Sequence, residues 1–238
     1  WYSHSATPAS KVYEDAETLM IAPGAISATL TEEGGPNVFR VCGRDDGQGT
    51  KVADYLADHW AGKKIAILND GTTFGTGLAD GARRRLHERC VRVALDEAYT
   101  PGEAEYSALA SKMEAAGVDV FFVGGYHRET GLIFRQTRDR GYGIQLIANS
   151  AMATADFPMI AGPGLGGTLM VAAADMRTSP RAADVVARFR AKGYDPPGFT
   201  LYAYAAVQVW AQAVTAAGSL DLAAVIEAMH SRQFDTVL

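Results

Sequence analysis

Cysteine is scarce, with Cys42 and Cys90 the only two in 238 residues. They lie in different segments and make no metal-ligand spacing, so both read as buried or idle thiols. The five histidines (His4, His59, His87, His127, His230) are not at metal spacing either, and His59, His87 and His230 fall inside helical runs. A long apolar run is missing, since no segment approaches the roughly 20 residues that a bilayer span requires. Positive charge is not in excess: Lys and Arg number 22 against 27 Asp and Glu, for a net charge of -5. That balance argues against nucleic acid as the main partner, and the one triple basic run, Arg83-Arg84-Arg85, reads as a solvated helix face. There is no initiator Met and no signal peptide, so the chain reads as a processed or truncated piece whose termini say nothing of its localisation.

What is present is a regular alternation. Hydrophobic residues at 48% and charged residues at 21% are ordinary for a globular chain, and the length allows one or two domains. TLMIAP, NVFRVCG, KKIAILND, VRVALDEAY, VDVFFVGG, IQLIANS and GTLMVAA read as strands, each short, apolar and closed by Gly, Pro, Asn or Asp. Between them TKVADYLADHWAG, FGTGLADGARRRLHERC, EAEYSALASKMEAAG and HRETGLIFRQTRDRG read as helices, several ending in a C-cap glycine. Such alternation predicts right-handed βαβ units on a parallel sheet. After about residue 178 three helices follow in succession, in SPRAADVVARFRAKGY, GFTLYAYAAVQVWAQAVTAAGS and DLAAVIEAMHSR, with FDTVL as a last strand. CGRDDGQGT and VAAADMRTSP read as crossings between two lobes.

The opening WYSHSATPAS places Ser3, His4, Ser5 and Thr7 ahead of Pro8, which predicts a helix start near the proline with hydroxyl caps before it. A helix start is also a ready anion site. Ser3-His4-Ser5 makes no catalytic triad, because neighbours on an extended chain point to opposite sides. NDGTTFGTG follows a strand and opens a helix, yet has neither the G-x-G-x-x-G spacing nor a Walker lysine. The notable residues fall at strand exits, where ligands sit in open parallel sheets: PGAIS, NDGTTF, GGYH and ANSAM, with SHSAT at the first helix. Hydroxyls, glycines and aromatics without an acid-base pair predict a binding cleft and no enzyme, metal or cofactor.

Five collinear blocks carry a more specific signal: PASKVYEDAETLMIAPGAISATLT, VFRVCGRDDGQG, KKIAILNDGTTFGTGLADG, YTPGEAEYSALASKMEAAGVDVFFVGGY and TLYAYAAVQVWAQA. Together they resemble the periplasmic leucine/isoleucine/valine-binding protein family of ABC importers. The resemblance implies an α/β fold of two Rossmann-like lobes, each a parallel sheet flanked by helices, in the Venus-flytrap arrangement of type 1 periplasmic binding proteins. It implies lobes at 1–44 with 174–238 and at 45–173, with the start of the first lobe and a C-terminal tail lacking. It also implies a monomeric periplasmic protein that captures a small molecule and hands it to a membrane permease. A ligand-sensing regulator on the same fold, like the amide sensors, is the alternative.

Carried over by position, Ser3 with Ala25, Ile26 and Ser27 falls where the family grips the ligand α-carboxylate. Phe74 and Tyr126 fall at aromatic cleft positions, and Phe199 or Thr200 near another wall. Two positions depart from the family pattern. Ile26 replaces a threonine, leaving Ser27 to substitute, and Ser150 replaces the acidic residue that pairs with the ligand ammonium, for which Asp156 and Asp175 are candidate stand-ins. A buried ammonium without a carboxylate partner costs several kcal/mol. The expected ligand is therefore an amino acid held differently or a carboxylate without an α-amino group.

Overall fold

The computed structural model describes residues 2–238, which divide into two compact units: Arg44–Ala172, and the segment up to Gly43 together with Ala173–Leu238. In the latter, α1 spans Ser3–Asp15, so the helix begins well before Pro8 and carries the proline inside it. The hydroxyl cluster expected ahead of the helix forms its first turns instead, and the N-cap residue Tyr2 makes no side-chain cap bond. One helical hydrogen bond is lost at Pro8, but Ser3 and Ser10 lie on a buried face that docks the helix in place, and such packing outweighs local propensity. Ser3, His4 and Ser5 therefore sit on a helix, where neighbours diverge by about 100°, and not on the extended chain expected. They are no better placed for a triad.

β1 (Met20–Ala22) pairs in parallel with β2 (Val38–Arg40), Met20 opposite Val38. The loop between them holds the short α2 (Thr29–Glu32). Ala22, Ala25, Leu30 and Val38 form a small core here, with Ala6 of α1 packed against it.

The second unit starts with α3 (Asp45–His59), which takes up most of the glycine-rich stretch read as a crossing. Acidic residues favour a helix start. Asp46 there accepts the Gly47 amide at 2.9 Å and pairs with Arg44 at 2.8 Å. Alternation then follows as predicted: β3 (Ile65–Asn69), α4 (Thr73–Glu88), β4 (Val93–Ala98), α5 (Ser107–Ala116), β5 (Val120–Gly124), α6 (His127–Asp139), β6 (Gln145–Ala148), α7 (Asp156–Ala161) and β7 (Leu169–Met170). The five strands are parallel in the order β4-β3-β5-β6-β7. β3 and β5 are buried at every position, as central strands covered by helices on both faces should be, while the edge strand β4 alternates between half-buried and exposed. Phe121, Phe134, Ile133 and Leu146 anchor the core.

The chain then returns to the first unit with α8 (Ala183–Ala191), α9 (Thr200–Ala217) and α10 (Leu222–Ser231), the three helices expected. FDTVL is not a strand. Its backbone amides at Asp235 and Val237 donate to the side chains of Gln212 and Gln208 on α9, at 3.2 and 3.0 Å, instead of to a neighbouring strand. Val237 is buried among Val185, Val186 and Leu201. The apolar alternation that suggested a strand thus serves helix packing.

Candidate functional site

In the second unit, β3 has β4 on one side and β5 on the other, so the chain reverses its direction of advance across the sheet between β3 and β5. A crevice outside the carboxyl ends of the strands opens at such a switch point. Phe74 lies in the first turn of α4, which leaves β3, and Tyr126 is the N-cap residue of α6, which leaves β5. Their rings stack with centroids 5.0 Å apart and planes 29° from parallel. Phe74 is buried and Tyr126 half-buried, so the pair offers one partly open aromatic face.

Two glycines bring these exits together. A Cβ on Gly75 would meet the Gly124 carbonyl oxygen at 2.5 Å, and one on Gly124 would meet the Gly75 oxygen at 2.0 Å, so the first turn of α4 lies directly on the end of β5. The start of α4 is capped in sequence. Thr72 Oγ1 accepts the Gly75 amide at 3.1 Å, while the Thr72 amide and hydroxyl donate to Asp70 Oδ1 at 2.9 and 2.7 Å.

Ser150 stands half-buried at the β6 exit, opening a 3₁₀ turn (Ser150–Met152). Its neighbour Asn149, fully buried, orders the site more than Ser150 does. Asn149 Nδ2 donates to the carbonyls of Val123 and Gly125 at 2.8 and 2.9 Å, and its Oδ1 accepts the Ala151 amide at 2.7 Å. One amide side chain thereby ties the Ser150 turn to the backbone that carries Tyr126.

In the first unit, Ser3, Ala25, Ile26 and Ser27 are all buried. The Ser27 amide donates to Ser3 Oγ at 3.1 Å, joining the first turn of α1 to the β1 exit loop. A hydroxyl has one donor and two acceptor sites, so Ser3 keeps its O–H to donate. The Ser27 hydroxyl lies 2.9 Å from that of Thr29. Below the loop, Arg40 at the end of β2 donates to the Ser27 carbonyl at 2.6 Å and to Thr31 Oγ1 at 2.7 Å, placing a permanent positive charge under the hydroxyls. Ile26 contributes only apolar surface. Cys42 Sγ lies 3.8 Å from the Ala25 carbonyl oxygen, and burial pushes its thiol up to about 11, against the smaller downward pull of Arg40, so the thiol is neutral near pH 7. A groove of about 480 Å³ between Leu19, Ile21, Trp210 and Leu222 contains none of these residues.

The two acids proposed to stand in for Ser150 differ. Asp175 is already engaged: Arg177 forks onto it, with Nη2 at 2.6 Å, and holds its carboxyl below the usual range. Asp156 is exposed in the first turn of α7. Phe199 is the N-cap residue of α9, with its ring 5.5 Å from that of Tyr202, and the adjacent Thr200 opens the helix. Arg40, Asp70 and Asn149 are the residues that sequence reasoning passed over. Asp70 and Asn149 each follow a strand directly, in the quoted runs NDG and ANS, and that position was the available signal. Nothing local marks Arg40.

The chain matches the family model described as periplasmic binding protein over residues 1–238. It is 44% identical over 232 residues to a Leu/Ile/Val-binding protein homolog 1 of Brucella suis, covering 97% of this chain but 62% of that relative's length. A leucine-binding protein of Thermotoga maritima superposes with a TM-score of 0.86 at 23% identity, over 94% of this chain and 65% of its own. A solute-binding protein of R. palustris solved with 4-hydroxybenzoate superposes with a TM-score of 0.78 at 17% identity, over 96% and 64%. At those identities the two structures speak for the fold.

Proposed function

This chain belongs to the periplasmic binding protein family, and we propose that it is the ligand-capturing part of an extracytoplasmic receptor for an ABC importer. The ligand is a small apolar carboxylate. Within the first unit the hydroxyl pair suits a carboxylate, and within the second unit the stacked rings suit an apolar group. The observation that carries this reading is Ser3 Oγ, which accepts the Ser27 amide and so keeps its own O–H to donate, above the positive charge of Arg40; a hydroxyl donor over a buried cation answers a negative charge where burial strengthens the bond. Pockets of this kind combine apolar and aromatic walls with a few convergent polar groups. A permease as the receiving partner follows from the family and is part of the proposal.

Ser150 turns the choice of ligand toward a carboxylate lacking the α-amino group, because a hydroxyl answers an ammonium with about half the strength of a charge-assisted bond. The R. palustris protein solved with 4-hydroxybenzoate gives a precedent on this fold for such a ligand. A branched-chain amino acid is the second reading, favoured by the 44% identity to a relative named for Leu, Ile and Val. Calorimetry on the full-length protein with leucine and with 4-methylpentanoate separates them. The expected result is tighter binding of 4-methylpentanoate; tighter binding of leucine would establish the second reading instead.

A further inference from the structure

Beneath the aromatic pair lie buried polar atoms for which no hydrogen bond accounts. Asp70 Oδ2 is shut off from solvent without a hydrogen-bond partner among the described residues, and the buried Tyr99 Oη and Thr130 Oγ1 interact with each other without full hydrogen-bond geometry. Unpaired buried groups are uncommon and call for a reason. These three come from the β3 exit, the β4 exit and α6, and the first two converge on the aromatic pair. A Cβ on Gly125, the residue before Tyr126, would lie 2.0 Å from Tyr99 Oη and 3.4 Å from Asp70 Cβ. A Cβ on Gly75, the residue after Phe74, would lie 2.1 Å from Asp70 Oδ1. Asp70 thus abuts the backbone next to both stacked rings.

We propose that Asp70, backed by Tyr99, is the positioning residue of the aromatic pair, holding Phe74 through the Thr72 cap and Tyr126 through the backbone at Gly125. The inference rests on the reading that this pair lines the ligand site. Asp70 works from its charge state. Burial, the largest influence, raises its carboxyl above the usual range; the Thr72 hydrogen bonds pull it down and the Glu129 charge adds a smaller upward push. The groups around it are Thr72 of its own loop, Glu129 from α6, which accepts the Gly102 amide at 3.2 Å and pairs with Arg128 at 3.1 Å, and Tyr99, whose ring meets Tyr106 edge-on. A proton on Oδ2 makes Asp70 neutral, and the nearby Tyr99 hydroxyl, which feels the Asp70 charge, is then relieved of it. Loss of the proton leaves a buried charge that Thr72 meets on one oxygen only. Because the folded protein keeps this proton to higher pH than the unfolded chain, stability falls as pH rises from the ordinary carboxylate range through Asp70's own, and is level above it.

The test uses the full-length protein labelled with ¹³C-tyrosine, the Tyr126 ring signal being assigned by Tyr126→Phe. All forms carry His127→Asn, which removes the imidazole next to Tyr126. As pH rises from the ordinary carboxylate range the Tyr126 signal is expected to move through one transition, and the transition is expected to vanish in Asp70→Asn, which keeps the acceptor for Thr72 without a titrating proton. Asp70→Ala loses the acceptor and is expected to weaken 4-methylpentanoate binding about tenfold, whereas Asp70→Asn stays within about twofold. A Tyr126 signal that does not titrate, or that titrates unchanged in Asp70→Asn, overturns the proposal, as does full affinity in Asp70→Ala. Tyr99→Phe guards against misfolding of the Asp70 variants: a shifted midpoint supports the pairing and an unchanged one refutes it. If neither 4-methylpentanoate nor leucine binds the parent protein, the ligand reading falls and the ring titration alone judges Asp70.

Discussion

Replacing Ser3 with alanine separates bracing from ligand binding at the proposed carboxylate site. Ser3 Oγ has two tasks: it accepts the buried Ser27 amide at 3.1 Å, and its remaining proton is assigned to the ligand carboxylate. Loss of the acceptor strands a buried N–H, which costs about 1–3 kcal/mol of stability. Loss of the donor removes one hydrogen bond to a charged group, worth about 1.5–3 kcal/mol of binding. That second loss is an affinity drop of about 10- to 150-fold. The two effects are read by different assays on the full-length protein, urea unfolding without ligand and calorimetry with 4-methylpentanoate near pH 7. Both should change. If stability falls by the expected amount while affinity stays within twofold, Ser3 is a brace between α1 and the β1 exit loop, and the carboxylate assignment is refuted.

Three further outcomes are expected. Asn149→Ala deletes two donated bonds and one accepted bond at a fully buried position and should lower unfolding stability by about 2–4 kcal/mol; a loss below about 0.5 kcal/mol in urea would show that the β5 and β6 exits hold their places without it. Ser150→Glu should shift preference from 4-methylpentanoate toward leucine, and an unchanged affinity ratio in calorimetry would remove Ser150 from the ligand site. Iodoacetamide near pH 8 should label the exposed Cys90 well before Cys42, whose thiol is pushed up to about 11; peptide mass mapping that finds Cys42 alkylated first would contradict the burial of that thiol.

The fold class was legible because its signals are local. Seven apolar runs each closed by a turn residue became seven strands, and the amphipathic runs between them became helices. The failures are also instructive. FDTVL has a strand's composition, but whether a short apolar run pairs with another strand or packs on a helix depends on what lies beside it, and here Gln208 and Gln212 of α9 take its amides. Proline at position 8 argued for a helix start, and docking of the Ser3 and Ser10 face moved that start to Ser3. Ser150 drew attention through a family pattern, while the adjacent Asn149 holds the turn.

The sequence by itself determined the alternation of strands and helices and that hydroxyls and aromatics gather at strand exits, since each depends on residues a few positions apart. Only the tertiary structure decided the strand order β4-β3-β5-β6-β7, which places Phe74 and Tyr126 on either side of one switch point and stacks their rings. It alone brought Arg40 beneath Ser27 and pressed Tyr99 and Asp70 against the backbone at Gly125. Strand order and such contacts join segments tens of residues apart. Nothing in a local pattern encodes them, because they are selected by which faces can be buried together once all the elements have formed.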